Sequence, residues 1–280
     1  MSYQNFIPSV WAEGIERQLE QLNVFAEDCN RKYEGTITKM GESVKILGVG
    51  RPTVHRISRE SRNDDIPDVE TLADYSILMP INQMLVINYK IDDIDEAQAK
   101  DGIMEALQGE TSEALNDEID SYIASLAKSK TVAGVLDYST TGNTITEDNC
   151  LTALDGLWKI LIKNNVKTTT PIVVTVDPDF YVLFKNKYLK LATNNVEEFK
   201  NGKVGTYNTM TIKMSNNVAE ESGVRYIMGR TKKAIAYARP YTHLEPYRPE
   251  KSFADAIKGY TLFDAKIVRP KEIAVIKAAY

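Results

Sequence analysis

Cysteine and histidine are nearly missing from this chain, with two of each in 280 residues. Cys29 and Cys150 are too few and too far apart for a disulfide framework, and His55 and His243 offer no pair at metal-ligand spacing. No metal or other cofactor is expected. There is no Asn-x-Ser/Thr sequon, and no run approaches the roughly 18 apolar residues of a membrane span. Residues 1–9 lack the basic start and apolar centre of a signal peptide. Together these absences point to a chain made in a reducing, intracellular compartment, with no membrane partner. Internal repeats and low-complexity tracts are also missing.

Catalytic signatures are equally scarce. The sequence contains neither a Gly-x-Ser-x-Gly elbow nor a Walker-type phosphate loop. Gly48-Val49-Gly50 is followed by Arg51-Pro52, which prevents the helix that a dinucleotide site needs. Asp177-Pro178-Asp179 follows an apolar strand, where α/β enzymes place carboxylates, but helix capping accounts for it without chemistry. Cys29 or Cys150 could meet His55 or His243 in space and form a nucleophilic pair. That leaves a cytosolic Cys-dependent hydrolase as the enzyme alternative; otherwise the residues compose no active site.

What the chain does have is charge laid out in blocks. With 43% apolar and 26% charged residues it is an ordinary globular composition, long enough for one large or two modest cores. Residues 91–128 read as one long helix, with Ile94, Ala97, Met104, Leu107, Leu115, Ile119, Tyr122 and Leu126 at helical spacing. Asp92, Asp93, Asp95 and Glu96 suit its start and Lys128 and Lys130 its end. Between Asp92 and Ser121 stand eleven acids and only Lys100 as a base, in a chain whose net charge is −5. The rest of the chain is therefore net basic. An excess of the same size lies in residues 31–62, which hold eight Lys or Arg against three acids. A solvated face explains such a run. A contact between copies explains it too: Arg51, Arg56, Arg59 and Arg62 of one copy would dock on Glu113, Asp117, Glu118 and Asp120 of the next.

In chain order, Ser9 caps an amphipathic helix reaching about Asn30, and residues 36–40 and 44–49 read as a hairpin. Residues 50–70 form a projecting polar loop. Residues 77–91 return as one strand, with Leu85, Ile87, Tyr89 and Ile91 on one face. After the long helix, a Gly/Thr-rich connector at 131–144 marks a domain boundary. Thr144 and Glu147 fit a capping box for a helix ending near Asn164. Residues 171–176 are apolar on both faces, as in a central strand, and Asp177-Pro178 starts a short helix. Asn201-Gly202 makes a turn. Strands follow around Met210–Met214, Val224–Met228 and Ala234–Ala238. Residues 241–249, with two prolines, read as a rigid surface connection, and residues 260–277 as two strands split by Arg269-Pro270.

This order, an N-terminal helical arm, an extended β arm, a long spine helix, then an α/β portion and late strands, resembles the major capsid proteins of tailed bacteriophages, the Hong Kong 97-type capsid fold. Local phrases are similar to those of the siphovirus-like members: Phe6-Ile7-Pro8 with Trp11, Val24-Phe25-Ala26, Asn30-Arg31-Lys32-Tyr33-Glu34-Gly35, Ile91-Asp92-Asp93-Ile94-Asp95 and Ile267-Val268-Arg269-Pro270-Lys271. The resemblance implies an α+β fold: N-terminal arm at 1–35, extended β loop at 36–91, peripheral domain with the spine helix at 92–135 and 232–262, and axial domain at 136–231 and 263–280. It also implies a non-enzymatic subunit that assembles through pentamers and hexamers into an icosahedral head enclosing double-stranded DNA. Implied partners are further copies of the chain, a separate scaffolding protein, a portal protein, and packaged DNA bound without sequence preference. The expected location is the virion capsid, assembled in the cytoplasm of the bacterial host. A long N-terminal scaffolding extension is missing from the pattern. Lys39 and Lys45 could serve loop crosslinking, but no catalytic carboxylate can be matched, so none is expected. An encapsulin-like nanocompartment shell is the alternative with the same fold.

Overall fold

The computed structural model describes residues 24–32, 43–49, 54, 56, 74–92, 103–140, 142–190, 206–250 and 254–280. The fold is mixed α+β. Its most apolar strand lies near the middle of the larger sheet. Ile172–Val176 (β6) is buried at every position, a pattern that only a strand covered on both faces sustains. Around it lies an eight-stranded sheet in the order β5-β4-β13-β10-β6-β8-β7, with β9 paired to β10. These strands are Gly134–Thr140 (β4), Asn143–Thr144 (β5), Thr206–Tyr207 (β7), Met210–Met214 (β8), Glu220–Glu221 (β9), Val224–Thr231 (β10) and Ile273–Ala278 (β13).

Two helices pack in the same core as this sheet, Cys150–Lys163 (α3) and Pro178–Lys190 (α4). Ala153, Leu154, Leu157 and Leu161 give α3 a fully buried stripe at helical spacing. The helix comes so close to the sheet that a Cβ on Gly229 would collide with the Leu157 side chain, and one on Gly134 with Ile160.

The second sheet has three long antiparallel strands in the order β11-β12-β3: Ile235–Tyr247 (β11), Ala254–Ile267 (β12) and Gln83–Asp92 (β3). Leu85 and Ile87 of β3 pack with Leu244 against Leu115 of the long helix Ile103–Ser125 (α2). A two-stranded ribbon, Ser43–Val49 (β1) with Asp74–Pro80 (β2), is rooted on this sheet. Val44, Ile46, Met79 and Ile81 share a core with Ala236, Ala238 and Leu262. Further along α2, Ile119 and Ile123, with Ala127 just past its end, meet residues of both sheets, among them Met228, Tyr237, Phe263 and Val275.

Several sequence expectations change here. The helix expected over 91–128 is described from Ile103 to Ser125, about 35 Å long, and ends in a 3-10 turn, Leu126–Lys128. Ile91 and Asp92 belong instead to β3, where they pair with Asp255 and Ala254. Ile94, Ala97 and Asp93 lie outside the described residues, as do the first helix before Val24 and the turn at Asn201-Gly202. The partner of residues 43–49 is 74–80; residues 36–40, expected to complete a hairpin, are outside the described set. The returning strand expected at 77–91 is two strands: the chain leaves the ribbon after Pro80, and Asn82 N donates to Asp264 Oδ2 (3.3 Å) before β3 begins.

The connector at 131–144 contains β4, which runs parallel to β13. The capping box is absent: Thr144 lies in β5, α3 starts at Cys150, and Asn149 Oδ1 accepts the Thr146 N–H (2.8 Å). Finally, residues 241–247 continue β11, with a bulge between Ala238 and Tyr241 at Arg239-Pro240. The physical reason is position: among the described residues β11 is an edge strand, where a residue without an N–H is tolerated, and Pro246 pairs with Ile257.

Candidate subunit interface

The acidic face of α2 follows from its period. Leu115, Ile119 and Ile123 turn inward, leaving Glu110, Glu113, Asp117 and Glu118 exposed on the opposite side. Asp117 Oδ1 accepts a hydrogen bond from Asn217 Nδ2 (2.8 Å); Glu110, Glu113 and Glu118 form no ion pair among the described residues. Of the basic residues expected to meet this face, Arg56 is described and exposed, beside Val54, which is 89% exposed. Arg51, Arg59 and Arg62 lie outside the described residues.

Asp120 departs from that exposed face. It is 3% exposed, because it sits a quarter-turn round the helix with Ser112 and Asn116, both buried. Its carboxylate accepts the backbone N–H groups of Val24 (2.8 Å), Phe25 (3.1 Å) and Ala26 (3.3 Å). Those residues open a four-residue helix, Val24–Glu27 (α1), so Asp120 caps a helix that precedes it by almost a hundred positions. Burial pushes the Asp120 carboxyl above the usual carboxylate range, against the opposing pull of those three N–H groups and of Arg230.

Arg230 was not foreseen as a functional residue. It is fully buried on β10, with Nη1 donating to Thr175 Oγ1 (3.2 Å) and Nη2 to Phe25 O (3.1 Å). Its guanidinium lies over the Phe25 ring at 4.9 Å, a cation–π contact in a desolvated setting. The available signal was parity: Tyr226, Met228 and Arg230 share one face of a strand that is otherwise apolar there. Beyond α1, Asn30 bridges to β11, its N–H donating to Ile235 O (2.8 Å) and its carbonyl accepting from Tyr237 N (3.1 Å). Lys213 reaches Glu27 (2.9 Å) and Asp28 (2.7 Å). Although its partial burial opposes charging, these carboxylates raise the lysine's pKa. Residues 24–30 therefore stitch α2 to both sheets.

Among the described residues neither cysteine pairs with a histidine. Cys29 is fully buried and its Sγ–H donates to Phe25 O (3.3 Å); burial pushes its thiol up to about 11, so it stays protonated and poorly nucleophilic. Cys150 is also buried and donates to Glu147 O (3.2 Å). His55 lies outside the described residues, and His243 packs against the Tyr260 ring at 5.7 Å on β11. Among the described residues no three His, Cys, Asp or Glu side chains group as metal ligands, and no helix is long and apolar enough to cross a membrane.

Comparison with known proteins gives no matching family model and no match among curated proteins. Solved structures match over nearly the whole chain. A chain of Mycobacterium phage Che8 superposes with a TM-score of 0.72 at 25% identity, covering 91% of each chain. The capsid of cyanophage P-SCSP1u gives 0.70 at 14% identity, covering 92% of this chain and 88% of that one. A virus-like particle from Pyrococcus furiosus gives 0.61 at 13% identity over 96% and 98%. The fold is therefore that of the tailed-phage major capsid proteins, the Hong Kong 97 type. These neighbours support a shell-forming structural subunit, and Che8 is the particular relative whose sequence agreement is highest of the three.

Proposed function

We propose that this chain is the major capsid protein of a tailed phage, assembling through pentamers and hexamers into an icosahedral head that encloses double-stranded DNA. The observation that carries this reading is the 91% mutual coverage with the Che8 chain, which leaves little of either chain unaccounted for. In this reading the arm is 1–35, the extended loop 36–91, the peripheral domain 92–135 with 232–262, and the axial domain 136–231 with 263–280. One supporting feature is that the core around α3 and β6 draws all its buried residues from the axial ranges, Ile145 to Ile227 and Ala274 to Ala278. A scaffolding protein, a portal protein and the bacterial cytoplasm as assembly site complete the proposal.

The exposed acids Glu113, Asp117 and Glu118 would receive Arg51, Arg56, Arg59 and Arg62 of a neighbouring copy. Each exposed pair contributes only about 0 to 1 kcal/mol, but a closed shell repeats it at every contact and keeps each contact weak enough for errors to be reversed. Asp120 has no part in this contact, since its oxygens are taken within the subunit. The test is charge reversal. Glu113, Asp117 and Glu118 changed together to Lys are expected to give soluble subunits that do not close, and reversing the four arginines to Glu in the same chain should restore closure. Shells of normal size and yield from the acid-to-Lys variant would sink the pairing.

The virus-like particle from Pyrococcus furiosus supports a second reading, an encapsulin-like compartment holding protein cargo. Nuclease-protected DNA inside shells from the native source separates the two. DNA of uniform length favours the head, and cargo protein with no DNA favours the compartment.

A further inference from the structure

Three turns of the chain meet beyond the C-terminal end of α2: residues 129–133 follow the helix, 231–234 join β10 to β11, and 268–272 join β12 to β13. Backbone bonds pin them together. Ala133 N donates to Pro270 O (3.3 Å), and both Val268 N (2.9 Å) and Arg269 N (3.1 Å) donate to Ala234 O. The turns carry Lys130, Lys232, Lys233, Arg269 and Lys271, all exposed. Their one acid, Glu272, is already engaged: Oε1 accepts from Arg269 (2.7 Å) and Oε2 from the Thr231 hydroxyl (2.5 Å). The four lysines have no hydrogen-bond or ion-pair partner among the described residues. A protein of net charge −5 thus concentrates on one corner four positive charges that no described carboxylate pairs with.

We infer that this corner is a contact surface for the phosphate backbone of nucleic acid. Lysine ammoniums are compact point charges that tolerate many geometries, suited to a phosphate chain that presents closely spaced negative charge without fixed orientation. Within the three turns no aromatic ring offers a stacking shelf, no Asn or Gln offers an amide to a base edge, and Arg269 is held by Glu272, so phosphate is the group that the lysines are placed to meet. No large apolar side chain within these turns is exposed as a membrane anchor would need: Val132 is buried and Val268 half-buried. An acidic protein surface is the competing partner; the chain's own acidic face on α2 is the one in sight, and the proposed shell contact already occupies it with the basic loop. The identification of the bound polymer as packaged DNA rests on the head reading, whereas the phosphate chemistry does not. The small number of charges keeps the contact weak, so that raised salt releases the polymer.

The experiment uses the full chain as unassembled subunits and fluorescence anisotropy with a labelled 20-base-pair DNA duplex. With four phosphates neutralised, affinity should fall about 100-fold between 50 and 200 mM salt. Changing Lys232 and Lys233 to Gln should about halve the logarithmic salt slope, and so should changing Lys130 and Lys271 to Gln; combining all four should abolish binding. Removing the same kind of charge from α3, with Lys159→Gln and Lys163→Gln, should leave binding unchanged. A single-stranded RNA of equal length, run in parallel, shows whether the duplex is favoured over phosphate in general. Binding unaffected by the four substitutions would overturn the inference, as would capture of polyglutamate in place of the duplex. Shells seen by microscopy without duplex binding would defeat this inference alone, and duplex binding without shells would defeat the head reading alone.

Discussion

At the scale of residues, the informative groups are buried and polar. Asp120 satisfies three backbone donors, and replacing it by Ala would leave them in a dry junction beside Arg230. Asp120→Ala is expected to cost on the order of 3 kcal/mol, read as a lower urea midpoint at unchanged slope. Glu118→Ala, one turn-face away and exposed, should shift the midpoint by no more than about 0.5 kcal/mol. Tyr122 gives a pH dependence. Its hydroxyl donates to Asp264 Oδ1 (2.9 Å), and burial together with the neighbouring carboxylate pushes the phenol up to about 12. The folded state thus keeps a proton that the unfolded chain releases near pH 10. Stability is therefore full below pH 10 and is lost as pH rises toward 12. Tyr122→Phe should show a flatter decline in melting temperature across that window, and an unchanged profile would refute this assignment.

At the scale of elements, the close approach of α3 to β10 makes a coupled prediction. Gly229→Ala drives a methyl into Leu157, and about 1 to 3 kcal/mol of stability should be lost. Leu157→Ala alone should cost about 2 to 5 kcal/mol. Because the methyl would occupy the space that the leucine vacates, the double variant should lose less than the sum, measurable in a double-mutant cycle. Strict additivity would mean that the two side chains do not meet. The same elements show what periodicity can and cannot reveal. The fully apolar β6, the buried stripe of α3 and the alternation of Met210, Ile212 and Met214 were legible because each pattern has one structural solution. Residues 241–247 were not, since prolines spell a turn until the strand is known to lie at an edge. Strand β4 was hidden for a similar reason. Gly134 reads as a loop residue, but it is there because Ile160 leaves no room for a Cβ. Asp120 and Arg230 were hidden by composition: among so many acids, only the four-residue spacing from Ser112 through Asn116 placed Asp120 on the inner side.

At the scale of the whole molecule, the segment 24–30 ties together a long helix, a ribbon-bearing sheet and a larger sheet that have separate cores elsewhere. That construction suits a subunit whose neighbours pull on it from several directions. Cys29 and Cys150 are both buried within the subunit, so Cys29→Ser with Cys150→Ser should assemble as the parent does; loss of function in a folded double variant would favour the hydrolase reading. The most direct test of the central claim is negative-stain electron microscopy of the purified chain, expressed alone and with a candidate scaffolding partner. The account predicts closed shells, tubes, or rings of five and six subunits in at least one preparation. Compact monomers or dimers in both would contradict it.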